Sequence, residues 1–116
     1  MSNTDAYDIK ENKLVIKSTG ATISFSWPIS KVLNINNIFV VLIDPLPDSC
    51  FNENVFGVSG SGCVIWTIEK RKHVYTDSPY TSIIENNGKV EAFNWDGDYL
   101  LIEPKDGRVL STRYSK

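Results

Sequence analysis

No run of consecutive apolar residues in this 116-residue chain exceeds the six of Ile38–Ile43. That is far short of the ~20 that a helix needs to cross a bilayer. Histidine occurs once, at His73, and cysteine twice, at Cys50 and Cys63. A histidine-activated nucleophile needs a placed Ser or Cys and an orienting carboxylate, and no such set is readable around His73. The cysteines lack the Cys-x-x-Cys spacing of a zinc or redox site, so neither metal nor cofactor is expected. Cys63 is expected as a small core residue within a strand, and Cys50 in a polar loop. Excess positive charge is also missing: 12 Lys and Arg face 14 Asp and Glu, for a net charge of −2. Nucleic acid is therefore a poor partner, because phosphate binding is built from clustered basic residues. The one basic cluster, Glu69-Lys70-Arg71-Lys72-His73, falls between expected strands and reads as a solvated loop. The start, Met1-Ser2-Asn3-Thr4-Asp5, has neither the basic beginning nor the apolar middle of a secretory signal. The expected location is the cytoplasm, with both thiols reduced.

What the chain has in quantity is β-hairpin grammar. Gly-x-Val occurs at Gly62-Cys63-Val64, Gly88-Lys89-Val90 and Gly107-Arg108-Val109. Each copy lies between two short apolar or β-branched runs, the pattern of two strands around a tight turn. Asp96-Gly97 and Asn36-Asn37 are further turn signals. Residues Ile23, Phe25 and Trp27 alternate with Thr22, Ser24 and Ser26, giving a strand with one apolar face. Ile38–Ile43 is apolar on both faces and is expected at the centre of the fold. Asp44-Pro45-Leu46-Pro47-Asp48 ends it in a stiff, extended loop.

These signals predict a single all-β domain over residues 1–116, with residues 1–12 loose. The expected architecture is an antiparallel meander of about eight or nine strands, closing as a sandwich or partial barrel, with little helix. A period near forty with two hairpins inside is the size of one propeller blade, but the chain is too short for the four blades of a closed propeller.

Chemistry-bearing residues are concentrated in turns. Asp44, Asp48, Glu53, Asp77, Asp96, Asp98, Glu103 and Asp106 all sit at or beside them. Acidic turn residues ordinarily cap the backbone or keep the surface soluble. A sharper reading makes them an acidic rim that steers a basic partner. A third makes two of them a hydrolytic carboxylate pair. Of Trp27, Trp66 and Trp95, the last directly precedes a turn and is the candidate for exposure. Aromatic anchors are enriched at interfaces. The expected partner-binding residues are therefore Asp44, Asp48, Glu53, Trp95, Asp96 and Asp98, with no catalytic residue expected.

From Pro28 onward the chain also carries an ordered series of motifs: Ile43-Asp44-Pro45, Asn54-Val55-Phe56-Gly57-Val58 with Gly62 and Trp66-Thr67-Ile68, Ser78-Pro79-Tyr80, Asn94-Trp95-Asp96-Gly97, and Pro104-Lys105-Asp106-Gly107-Arg108-Val109-Leu110 with Lys116. In this order it resembles small bacterial all-β proteins of the toxin-immunity type, which accompany contact-dependent or polymorphic toxins. The Trp66 hairpin is also similar to a quinoprotein-type propeller blade. The resemblance implies a non-enzymatic, cytoplasmic immunity protein that covers the active site of a cognate toxin domain, a basic nuclease being one candidate. The alternative expectation is a β-module that holds a small ligand, again without enzymatic activity.

Overall fold

A computed structural model describes residues 6–72 and 75–114. His73, considered above as a catalytic base, lies outside the described residues. The described chain forms three antiparallel meander sheets and no α-helix. The first sheet holds β1 (Tyr7–Lys10), β2 (Lys13–Ile16) and β3 (Ala21–Ser24). The middle sheet holds β4 (Ile29–Ile35), β5 (Ile38–Ile43), β6 (Val55–Ser59) and β7 (Val64–Thr67). The third holds β8 (Tyr80–Asn86), β9 (Lys89–Asn94), β10 (Asp98–Ile102) and β11 (Val109–Tyr114). Within each sheet every strand pairs with its sequence neighbour, as hairpin chemistry dictates. The expected all-β meander is what forms, stacked as a sandwich of sheets and not closed as a barrel.

The middle sheet is covered on both faces, and β5 shows why its sequence is apolar throughout. Phe39, Val41 and Ile43 pack toward the first sheet with Tyr7, Leu14 and Ile16. Val40 and Leu42 point the other way, into a core shared with Ile83, Ala92, Leu100 and Ile102 of the third sheet. Alternating side chains on a strand buried on both faces therefore build two cores at once.

The turns follow their residues. Asn36 and Asn37 both take positive φ, at 50° and 66°, and Asn87 and Gly88 do so at 52° and 76°. This is the left-handed pair that a two-residue hairpin turn requires, and Asn and Gly adopt it most readily.

Three expectations need correction. There are eleven strands among the described residues, not eight or nine. One of the additions, β1, lies in the segment expected to be loose. Asp8, Ile9 and Lys10 are exposed there, which makes the segment look polar. Tyr7 is the one buried side chain of β1, with its ring edge-on to Phe39 at 5.9 Å and its hydroxyl donating to the Val32 carbonyl at 3.3 Å. Cys63, expected in the core, is exposed. It sits just before β7, where its carbonyl accepts the Ser59 N–H at 2.8 Å and its own N–H reaches Ser59 Oγ at 3.2 Å. It closes the turn and does not pack in the core.

Trp66 joins the middle and third sheets. It pairs with Gly57 across β6 and β7, and its indole N–H donates to the Pro104 carbonyl at 2.6 Å. A Cβ at Gly57 would overlap the indole ring, and one at Gly107 would come within 2.6 Å of it. Glycine at both positions is what lets a large ring lie flat between the two hairpins.

Candidate functional site

Three connections meet at one end of the stack: residues 44–54 after β5, residues 75–79 before β8, and the turn 95–97 between β9 and β10. Nothing in their composition makes them adhere; short polar side chains do. Asp77 accepts the backbone N–H of Asp48 at 2.7 Å and of Cys50 at 3.1 Å. Asn52 donates to the Thr76 carbonyl and accepts the Ser78 N–H. Ser78 Oγ bonds Asn94 Oδ1 at 2.7 Å, while Asn94 Nδ2 donates back to the Ser78 carbonyl at 2.9 Å. Asn54, fully buried, donates to the carbonyls of Ile43 and Tyr80 and accepts the Tyr80 N–H, all within 2.9 Å. Buried amides satisfied on both ends fix relative position, because each unmade bond would leave a costly polar orphan.

On this frame lies a groove of about 460 Å³, lined by Pro45, Leu46, Pro47, Asp48, Tyr75, Asp77, Pro79 and Trp95. Leu46, Tyr75 and Trp95 are 67%, 56% and 63% exposed, the three most exposed large apolar side chains among the described residues. Single exposed apolar residues are ordinary, whereas several around one concavity mark a binding surface. Three prolines and the side-chain network keep the groove's shape, so little ordering entropy is left for a ligand to overcome.

The expected partner-binding residues divide into two adjacent groups. Asp48 and Trp95 line the groove. Asp44 is exposed at the start of the proline loop, with its N–H donated to the Pro28 carbonyl at 2.8 Å. Glu53, Asp96 and Asp98 do not line the groove; their charges, with that of Arg71, act on the buried phenol of Tyr80. Burial pushes the Tyr80 hydroxyl well above its ordinary pKa; the Arg71 charge opposes this and the three carboxylates add to it. Asp98 pairs with Arg71 at 3.9 Å.

Asp96 is buried, and its Oδ1 accepts the Asp98 N–H at 3.0 Å, so its carboxylate caps its own turn. Of the turn carboxylates weighed for a hydrolytic pair, Asp96 holds its own turn and Asp98 faces Arg71. Among the described residues, no group of three His, Cys, Asp or Glu side chains is placed to hold a metal ion. No helix among them is long and apolar enough to cross a membrane.

Sequence reasoning missed Leu46, Tyr75 and the network of Asn52, Asn54, Asp77, Ser78 and Asn94. The one available signal was the density of Asn, Asp, Ser and Pro in the two long connections. A second cleft, about 500 Å³, opens between the first and middle sheets over Phe25, Phe51, Phe56, Ile43 and Val64.

The model of a protein family described as a domain of unknown function, DUF7957, matches residues 4–114. No curated protein matches the chain.

Proposed function

The chain belongs to the DUF7957 family, and we propose that it is a non-enzymatic binding protein of the toxin-neutralising kind, working in the cytoplasm. Its partner would be a cognate toxin domain, held on the loop end that bears the Leu46, Tyr75 and Trp95 groove. The observation that carries this reading is the groove itself: three large apolar side chains held exposed around one concavity on a hydrogen-bonded frame. Interface energy concentrates in such aromatic anchors, while surrounding polar contacts mainly exclude water. The motif series from Asp44-Pro45 to Gly107-Arg108-Val109, similar to immunity-type proteins, supports the choice of partner.

The test is to co-express the chain with a toxin domain found encoded beside it. Growth should be arrested by the toxin alone, restored by the wild-type chain, and not restored by a folded Trp95→Ala, Leu46→Ser double variant. Arrest that the wild-type chain fails to relieve counts against the proposal.

A second reading rests on the Phe25, Phe51 and Phe56 cleft. The Phe25 and Phe56 rings stand 5.1 Å apart, and Trp27 and Phe51 stand 4.7 Å apart. Aromatic-lined clefts of this size suit small ligands. Native mass spectrometry of the purified chain would show a retained ligand as added mass.

A further inference from the structure

The charge and hydrogen-bonding character of the groove specify more than an apolar occupant. Among the described residues that line it, the charged ones, Asp48 and Asp77, are both acidic. Asp77 already uses both oxygens on the N–H groups of Asp48 and Cys50, whereas Asp48 enters that contact through its backbone and keeps its exposed carboxylate at the rim. Pro45, Pro47 and Pro79 contribute carbonyls but no N–H donors to the walls, which leaves the Trp95 indole N–H and the Tyr75 hydroxyl as the side-chain donors there. Trp95 and Tyr75 present exposed aromatic rings in the same concavity.

The ligand that complements a rim carboxylate, aromatic faces and an apolar proline wall is a cation on an apolar stem. We infer that the groove receives an arginine side chain from an extended segment of the partner protein, its guanidinium against the Trp95 or Tyr75 ring and within reach of Asp48. Arginine fits better than lysine because its group is planar, carries only donors and stacks on aromatic rings. Its methylene stem lies along Leu46 and the prolines, as long basic side chains do on apolar surface. This rests on the protein-binding reading above and adds the chemistry of the contact to it.

The experiment uses the full chain, labelled with nitrogen-15, and two capped peptides. One is acetyl-Gly-Leu-Arg-Leu-Gly-amide; the other carries citrulline, which keeps the shape and removes the charge. The arginine peptide is expected to shift the Trp95 indole and Asp48 amide resonances and to bind about fivefold or more tighter than the citrulline peptide, the scale of an exposed cation–π contact joined to one ion pair. In Asp48→Asn that preference should shrink, with the fold unchanged because the Asp48 side chain ties down nothing. Equal binding of both peptides at the groove overturns the arginine inference and leaves the groove as a protein-binding site. No binding of either at millimolar concentration also overturns it. The broader proposal stands or falls separately, on whether co-expression restores growth.

Discussion

The carboxylate of Asp77 accepts the backbone N–H of Asp48 across 2.7 Å, tying the proline loop to the connection that follows β7. Both sides of the groove depend on this tie. Hydrogen bonds to a charged acceptor contribute about 1.5–3 kcal/mol, and this one, being exposed, belongs at the low end. Asp77→Ala removes this bond and the one from Cys50, and should therefore cost about 1.5–3 kcal/mol of global stability by urea titration. Its larger effect should be local: amide hydrogen exchange at Asp48 and Cys50 should accelerate while β5 and β9 stay protected.

Asn54 is the harder joint to replace. Its amide satisfies two carbonyls and one N–H while fully buried. Asn54→Ala should destabilise by about 2–4 kcal/mol, since it orphans buried backbone groups. Asn54→Asp should be worse despite its equal size. A carboxylate has no donor for the Ile43 and Tyr80 carbonyls and places its charge against both. Chemical denaturation that ranks the two variants the other way would contradict this reading of Asn54.

Trp66 and Gly57 form a single packing unit. Gly57→Ala puts a methyl group into the indole, so the ring must move and its bond to Pro104 is lost. The expected cost is at least about 2–3 kcal/mol, the upper range for overpacking, with a changed near-ultraviolet circular dichroism band. Gly88→Ala is the control. A Cβ there meets nothing within 4 Å, so only the strain of its positive φ remains, about 1 kcal/mol.

Alkaline pH should probe the other group. Burial, aided by Asp96, Asp98 and Glu53 and opposed by Arg71, holds the Tyr80 phenol above its ordinary value of 10.0. A raised folded pKa means the folded state keeps a proton that the unfolded chain releases. Stability is thus fully present below pH 10 and falls above it, by up to about 1.4 kcal/mol per pH unit for one group. Burial raises Tyr7 as well, so Tyr80→Phe should reduce the alkaline slope of thermal stability without abolishing it. On the acid side, Glu103 is held below its ordinary 4.5 by its bonds to Lys89 and the Lys105 N–H. Its contribution is present above pH 4.5 and disappears as pH falls below that value.

Local chemistry made the hairpins legible: Asn36-Asn37 and Asn87-Gly88 name their turns, and the unbroken apolar run of β5 announced a strand covered on both faces. The segment at Tyr7 was opaque because one buried ring anchors an otherwise polar edge strand. Cys63 was misplaced because its turn is one residue longer than a pattern of apolar letters suggests. Trp95 was legible as an exposed aromatic, since it stands against a turn. Its neighbours in the groove were not. Leu46, Tyr75 and Trp95 meet only because Asn52, Asp77, Ser78 and Asn94 lock together loops that lie far apart in the chain, and alternation within a strand carries no record of that. Asp96 shows the converse: a turn aspartate looks the same in sequence whether it faces solvent or caps the turn from within.

The central claim is that a partner protein covers the loop end bearing Leu46, Tyr75 and Trp95. In-cell photo-crosslinking measures this most directly, with a benzophenone amino acid placed at position 75 and, in a separate chain, at position 99 on the outer face of the third sheet. The expected result is one discrete protein adduct from position 75 and none from position 99. Adducts from position 99 alone, or the same diffuse adducts from both, would contradict it.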